Sequence, residues 1–238
     1  MQADRTTPAQ PTGGGEAPSF SPRQLLDLFI APRRFFSAGP DLASPARLAM
    51  VTILYGIALS LNRIQARLSI HLKAHSLGLT PSRAWSFQEP LSSNWLFFWA
   101  YALVGGLVTA VLVWWIGGWW FGVRVRWSGA VDAKLRTARQ VYLYSALLFT
   151  LPAVIGPIVI TALYPDYRAA WSAGGYRPMF LLPFLLWSTL VSYIGVTVVF
   201  PVRRGRAFGW FVILPWVLYV ALTVFGTVML RGLVRHPA

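Results

Sequence analysis

The sequence predicts an all-α fold: a polytopic transmembrane helix bundle in which five spans are favoured and four are possible. Of the 238 residues, 56% are hydrophobic and only 12% are charged, and the mean hydropathy is +0.55. Uncharged apolar runs of roughly 20 residues, the length that crosses a bilayer, recur along the chain. At one of them, Trp119 and Trp120 precede Arg124 and Arg126. This order is typical of a membrane interface that leads to an aqueous side.

The chain before the spans is predicted to form a disordered tail and an amphipathic helix. Residues 1–19 show no apolar periodicity and no apolar core of a signal peptide, so an uncleaved, disordered tail is expected. Residues 20–43 contain a helix that begins at Pro22 and stops at Pro32. Its short apolar face predicts an amphipathic helix that lies in the membrane interface, followed by a linker, and a helix that packs on the body of the protein is the alternative.

The transmembrane domain is predicted over residues 44–231, followed by a C-terminal tail at 232–238. Its spans are expected at about 46–63, 95–116, 141–164, 179–202 and 208–230. The first is short, because only Leu48 to Asn62 lie between arginines, so it either crosses with snorkelling arginines at its ends or lies in the interface. The residues after Arg63 are expected to continue it as a surface helix.

The distribution of basic residues predicts the orientation. Most of the 21 Lys and Arg residues lie in the N-terminal region and in the second and fourth loops. The positive-inside rule therefore places these regions in the cytoplasm and the C-terminus on the opposite side. The preference for Arg over Lys suits a GC-rich bacterial gene, so a bacterial cytoplasmic (inner) membrane is expected. A four-span arrangement divides the charges equally well.

The predicted spans lack the groups that membrane enzymes and coupled carriers need. They contain no Asp, Glu, Lys or His, which argues against proton pumps, coupled carriers and intramembrane metalloproteases. The chain has no cysteine and hence no thiolate metal site. His71 and His75, four apart, are a weak candidate pair for a metal.

No catalytic residue and no cofactor is predicted. The net charge of +14 is attributed to lipid-facing loops rather than to nucleic-acid binding.

Two sets of residues are predicted to make contacts. Those expected to dock anionic lipid headgroups or a partner are Arg33, Arg34, Arg124, Arg126 and Arg136. Those expected to pack or bend helices are Gly106, Gly117, Gly118, Pro152, Pro157 and Pro183. Small residues allow close helix approach, and a proline inside a helix frees a carbonyl and bends it. Gly117 and Gly118 are also expected to end the second helix.

Two stretches resemble a known family. Residues 25–36, LLDLFIAPRRFF, are similar to the entry segment l-x-d-l-x-x-x-P-x-x-x-F of the Yip-domain membrane proteins. Residues 141–146, VYLYSA, followed by Pro152, are similar to the third segment of that family. The resemblance implies five spans and a cytosolic N-terminus. Eukaryotic members interact with Rab GTPases, but their acidic and asparagine-containing tail motifs are missing here, so the resemblance points to the bacterial branch.

The function expected from these observations is non-enzymatic. The leading hypothesis is a membrane scaffold, organiser or accessory subunit that acts through membrane lipids, including anionic headgroups, and through a membrane-protein partner or a second copy of itself. One alternative is a permease or channel for a small neutral or hydrophobic solute. Another is a peripheral subunit of a larger energy-converting membrane complex.

Overall fold

The structure, a computed structural model, describes residues 22–38, 44–76, 88–174 and 178–235. The predicted tail at 1–19 lies outside these residues. Within the described ranges the regular elements are helical and no strand occurs. The helices are α1 (Pro22–Ile30), α2 (Pro32–Ser37), α3 (Pro45–Ser76), α4 (Gln88–Ser93), α5 (Trp95–Trp127), α6 (Leu135–Leu163), α7 (Tyr167–Ser172), α8 (Leu182–Val199) and α9 (204–235). The predicted all-α fold is confirmed.

Five helices of the described part are long and apolar enough to cross a membrane, as the sequence predicts. They are α3, α5, α6, α8 and the stretch Arg204–Leu222 of α9. The first predicted span looked short, but α3 has 32 residues and continues past Arg63 as one helix. At 1.5 Å per residue this length exceeds the roughly 30 Å of a bilayer core. α9 continues to Arg235, past the predicted end at 230.

The predicted end of the second helix at Gly117 and Gly118 is wrong. Both glycines have ordinary helical backbone angles, and α5 passes through a π-helical turn, Val113–Gly117, before it ends at Trp127. The glycine that ends the helix is Gly129, whose φ is +115°. The N–H groups of Gly129 and Ala130 donate back to the carbonyls of Arg126 and Val125. This is the Schellman pattern, which favours glycine at the left-handed position.

α3 and α5 approach each other closely at two glycines. A Cβ atom added to Gly56 would lie 2.6 Å from the Ala110 backbone nitrogen, and one added to Gly106 would lie 2.7 Å from Ile57 Cγ1. Such approach needs glycine, because helices in lipid associate through van der Waals packing that a side chain at this position would block. Gly106, singled out in the sequence as a packing residue, lies at this contact.

The N-terminal helices pack on the body of the protein. Leu28 of α1 and Phe35 and Phe36 of α2 are buried, and a Cβ added to Gly195 of α8 would meet the Phe36 ring at 2.9 Å. The indole N–H of Trp187 donates to the Phe29 carbonyl at 3.2 Å. One face of α1 therefore packs on the body of the protein, while Leu26 and Ile30 on its other side stay exposed.

The three candidate kink prolines differ in their surroundings. α6 continues through Pro152 and Pro157 as one helix of 29 residues. The Pro157 carbonyl accepts a hydrogen bond from the hydroxyl of Thr161 at 2.8 Å. Pro183 lies in the first turn of α8, where its missing N–H would have no helical partner in any case. The prediction that Pro183 bends a helix interior is wrong.

Hydrogen bonds and ion pairs between connecting segments define two ends of the bundle. At one end, the Arg203 N–H before α9 donates to the Ser128 carbonyl after α5 at 2.9 Å. We call this the basic end, because its exposed cations are Arg126, Lys134, Arg136, Arg203, Arg204 and Arg206. At the opposite end, Arg168 of α7 forms an ion pair with Glu89 of α4. The spans therefore alternate in direction between these two ends.

Candidate docking site at the basic end

A row of tryptophans joins α5 to α9 at the basic end. Trp120 and Trp127 are seven residues apart, two helical turns, and hence on one face of α5. Their ring centroids lie 5.5 Å apart, and Trp127 packs on Trp210 of α9 at 4.7 Å. Trp127 and Trp210 line a shallow, open cavity of about 600 Å³ together with Arg126 and Arg206. We call these four residues the tryptophan niche.

Arg124 lies behind the niche, half-buried among aromatic rings. Its guanidinium carbon is 4.9 Å from the Phe211 ring centroid, 5.3 Å from that of Phe121 and 6.0 Å from that of Trp120. Its Nε is buried without a hydrogen-bond acceptor, and it forms no ion pair within the described part of the chain. The sequence placed Arg124 in a basic loop, and that placement is wrong, because α5 extends to Trp127.

A π-helical turn in α9 supplies the acceptor for Arg124. The carbonyl of Trp210 would accept from the N–H of Leu214 in an α-helix, or from that of residue 215 in a π turn. The Leu214 N–H instead donates to Gly209, and residue 215 is a proline, which has no N–H. The carbonyl is therefore left without a partner in its own helix, and Nη1 of Arg124 donates to it at 3.4 Å.

Two glycines of α5 bring α6 against the same region. A Cβ added to Gly117 would lie 2.8 Å from the hydroxyl of Tyr142, and one added to Gly118 would lie 2.9 Å from Nε of Arg139. The Tyr142 ring packs edge-on against the ring of Tyr55 of α3, with centroids 5.8 Å apart. The two glycines, expected in the sequence to end a helix, instead form the packing surface that joins three spans.

Arg139 of α6 packs against Gly118 and, like Arg124, lies over aromatic rings. Its guanidinium carbon lies 4.9 Å from the ring centroid of Trp114 and 5.5 Å from that of Trp115. Guanidinium groups stack on aromatic faces with a favourable cation–π attraction, which grows when water is excluded. Two arginines of the basic end are thus held by rings rather than by carboxylates.

The other predicted docking arginines are exposed. Arg126 and Arg136 lie at the basic end, and Arg33 and Arg34 lie on the outer face of α2. Asp132, also exposed, is the acidic residue of the turn between α5 and α6. Exposed guanidinium groups with so little local counter-charge remain available to an external anion.

The candidate metal pair is not supported by its surroundings. His71 is buried and His75 is exposed. The Nε2 atom of His71 lies 4.0 Å from a carboxylate oxygen of Glu89, but Arg168 pairs with that carboxylate and would oppose a cation there. Within the described ranges no group of three His, Cys, Asp or Glu side chains gathers.

The sequence analysis missed Trp127, Arg206 and Trp210 as members of the site. A local signal existed, because Arg206 and Trp210 are four apart and therefore share a helix face. No sequence pattern indicated that these residues would contact α5, since that contact depends on the packing of spans far apart in the chain. The sequence also gave no sign that Arg124 would reach the Trp210 carbonyl.

Comparison with known proteins assigns the chain to a family. A family model of the Yip1 domain matches residues 26–226, which include α3, α5, α6, α8 and most of α9. Comparison with curated proteins and with solved structures found no match. The match confirms the resemblance drawn from residues 25–36 and 141–146, and it covers far more than half of the chain. The protein, an integral membrane protein with five apolar helices, therefore belongs to the Yip1-domain family.

Proposed function

We propose that this protein is a non-enzymatic membrane scaffold or accessory protein that docks lipids and protein partners at its basic end. The observation that carries the proposal is the group of exposed cations gathered there by the Arg203–Ser128 hydrogen bond. Membership of the Yip1-domain family supports a role through contacts. The lack of Asp, Glu, Lys and His in the spans predicted from the sequence fits the same role.

We further propose that the basic end faces the cytoplasm of a bacterium, with the protein in the inner membrane. Cytoplasmic loops carry an excess of Lys and Arg, and the cytoplasmic leaflet is rich in anionic lipid that attracts them. The turn after α5 and the segment before α9 supply these cations and lie together. The N-terminus would then lie inside and the C-terminus outside.

Charge reversal at the two ends tests the proposal. The tagged full-length protein is purified from native membranes in nanodiscs, and the proteins and lipids that remain bound are identified by mass spectrometry. Arg126→Glu combined with Arg136→Glu is expected to remove a stoichiometric partner or anionic lipid, because both side chains are exposed at the basic end. Arg63→Glu combined with Arg67→Glu, two exposed residues of α3, is the matched control and should retain them.

The two alternative functions correspond to other results of this purification. Unchanged co-purification after reversal at the basic end would contradict docking there. A lone monomer that conducts a neutral solute in flux assays would favour the permease, although Pro183 now lies at the start of α8 and is no hinge within it. Recovery as a fixed subunit of a redox or proton-pumping assembly would favour the third hypothesis.

A further inference from the structure

We propose that the tryptophan niche binds the phosphate of one anionic phospholipid. This inference rests on the proposed docking role of the basic end and names a ligand for it. The niche combines two exposed guanidinium groups, those of Arg126 and Arg206, with the two packed indoles of Trp127 and Trp210 around a cavity of about 600 Å³.

The two arginines of the niche come from different helices and are held near each other by the backbone. Arg126 lies in the last turn of α5, and Arg206 lies in the first turns of α9. The hydrogen bond from the Arg203 N–H to the Ser128 carbonyl, 2.9 Å long, joins the two chain segments next to them. A phosphate between the two guanidinium groups would receive charge-assisted hydrogen bonds from both, which are shorter and stronger than neutral ones.

Arg124 adds positive charge behind the niche. It donates to the carbonyl of Trp210, a niche residue, and it has no ion pair within the described residues. Its charge is therefore not cancelled by a nearby carboxylate and adds to the field that an anion at the niche would meet. A single half-buried guanidinium among rings does not form the site, but it favours an anionic over a zwitterionic headgroup.

The position of the niche indicates a lipid rather than a free anion. Trp127 ends one candidate span and Arg206 lies near the start of another, so the niche lies at the level of the headgroups, where indoles concentrate. Beyond the niche, α9 exposes Val217, Val220 and Val224, an apolar surface suited to acyl chains. A soluble phosphate would use only the arginines, whereas a phospholipid would use the charge and the apolar surface together.

Native mass spectrometry of the purified full chain tests the inference without any protein partner. The protein is delipidated and offered equal amounts of phosphatidylglycerol and phosphatidylcholine. We expect about one phosphatidylglycerol per chain, with at least roughly tenfold preference over phosphatidylcholine, a ratio that corresponds to about 1.4 kcal/mol. Arg126→Gln with Arg206→Gln should remove that preference. Arg63→Gln with Arg67→Gln, which removes the same charge from exposed sites on α3, should retain it.

Two further experiments distinguish a bound phospholipid from a free anion or an acidic protein. Arg126→Lys with Arg206→Lys keeps the charge but loses the planar fork that binds phosphate in a bidentate way, so an intermediate preference is expected. Millimolar inorganic phosphate should fail to displace the lipid, and displacement would mean a free-anion site. Displacement by an acidic peptide would mean a protein-binding site. Either displacement would overturn the assignment of a phospholipid.

The outcomes distinguish this inference from the proposed docking function. Equal loss of preference in the niche variant and in the control variant would show general charge attraction, and no loss in either would show that the niche is not the site. Both results would overturn the inference. The co-purification experiment would still stand by itself, because it also reverses Arg136, which lies outside the niche, and because it identifies protein partners from the native membrane. Matching thermal unfolding of all variants, followed by tryptophan fluorescence, excludes misfolding as the cause.

Discussion

One arginine at each end of the bundle, Arg168 and Arg124, is held in a different way. At the opposite end, Arg168 forms an ion pair with Glu89, and its Nε donates to the hydroxyl of Ser92 at 3.0 Å. At the basic end, Arg124 has no ion pair within the described residues and lies over the rings of Phe121 and Phe211. Arg168 is thus paired with a carboxylate of the protein itself. Arg124 is held by aromatic rings and one backbone carbonyl.

This difference separates a structural use of arginine from a use in recognition. An internal carboxylate cancels the charge and leaves nothing for an outside anion. Rings and a carbonyl hold a guanidinium in place while its charge persists, because a quadrupole or a dipole attracts a cation without neutralising it. The basic end is therefore suited to anionic ligands, and the opposite end is suited to joining α4 to α7.

The largest effect on stability is expected from Arg124→Lys, compared with the same substitution at Arg168. Arg124→Lys keeps the charge but loses the planar stack on Phe121 and Phe211, and it buries a more strongly hydrated ammonium. We expect it to lower the free energy of unfolding by about 2 kcal/mol. Arg168→Lys should change it by less than about 0.5 kcal/mol, because a partly exposed pair contributes little. Thermal unfolding in detergent measures both, and equal effects would contradict the comparison.

A smaller effect is expected from Gly117→Ala, which tests the packing that supports the basic end. The added methyl would lie 2.8 Å from the Tyr142 hydroxyl, and such overpacking costs about 1–3 kcal/mol. Gly156→Ala in α6 is the matched control, because nothing lies within 4 Å of its added Cβ. Both variants gain about 1 kcal/mol of helix propensity. The unfolding temperature of Gly117→Ala should therefore fall below that of Gly156→Ala.

The smallest effect is expected at the opposite end. Glu89→Gln removes the charge from an exposed carboxylate, 60% accessible, that pairs with Arg168. The loss should be under about 1 kcal/mol. It should also disappear in 1 M salt, where the screening length is only about 3 Å. A salt-independent loss, measured by thermal unfolding at low and high salt, would mean that the pair is more buried and more important than its exposure indicates.

The sequence predicted the fold well because bilayer crossing is a local property. The apolar runs that became α5 and α6 are long, uncharged and bounded by polar residues, and no other arrangement satisfies their backbones in lipid. α1 ends at Ile30, before Pro32, as predicted, because proline lacks the N–H that would continue the helix. The end of α5 was wrong because glycine has two uses. It can end a helix, as Gly129 does, or permit close packing, as Gly117 does.

The sequence by itself determined the membrane setting, the five apolar helices and the two stretches that mark the Yip1-domain family. Those properties follow from the amino-acid composition and from short stretches of the sequence. Only the tertiary structure decided the site. It placed Arg124 among rings and against the Trp210 carbonyl, and it joined Arg126 and Trp127 to Arg206 and Trp210. The reason is physical: the carbonyl is left unpaired by a π turn and a proline in one helix, and its donor comes from another helix 86 residues earlier in the chain.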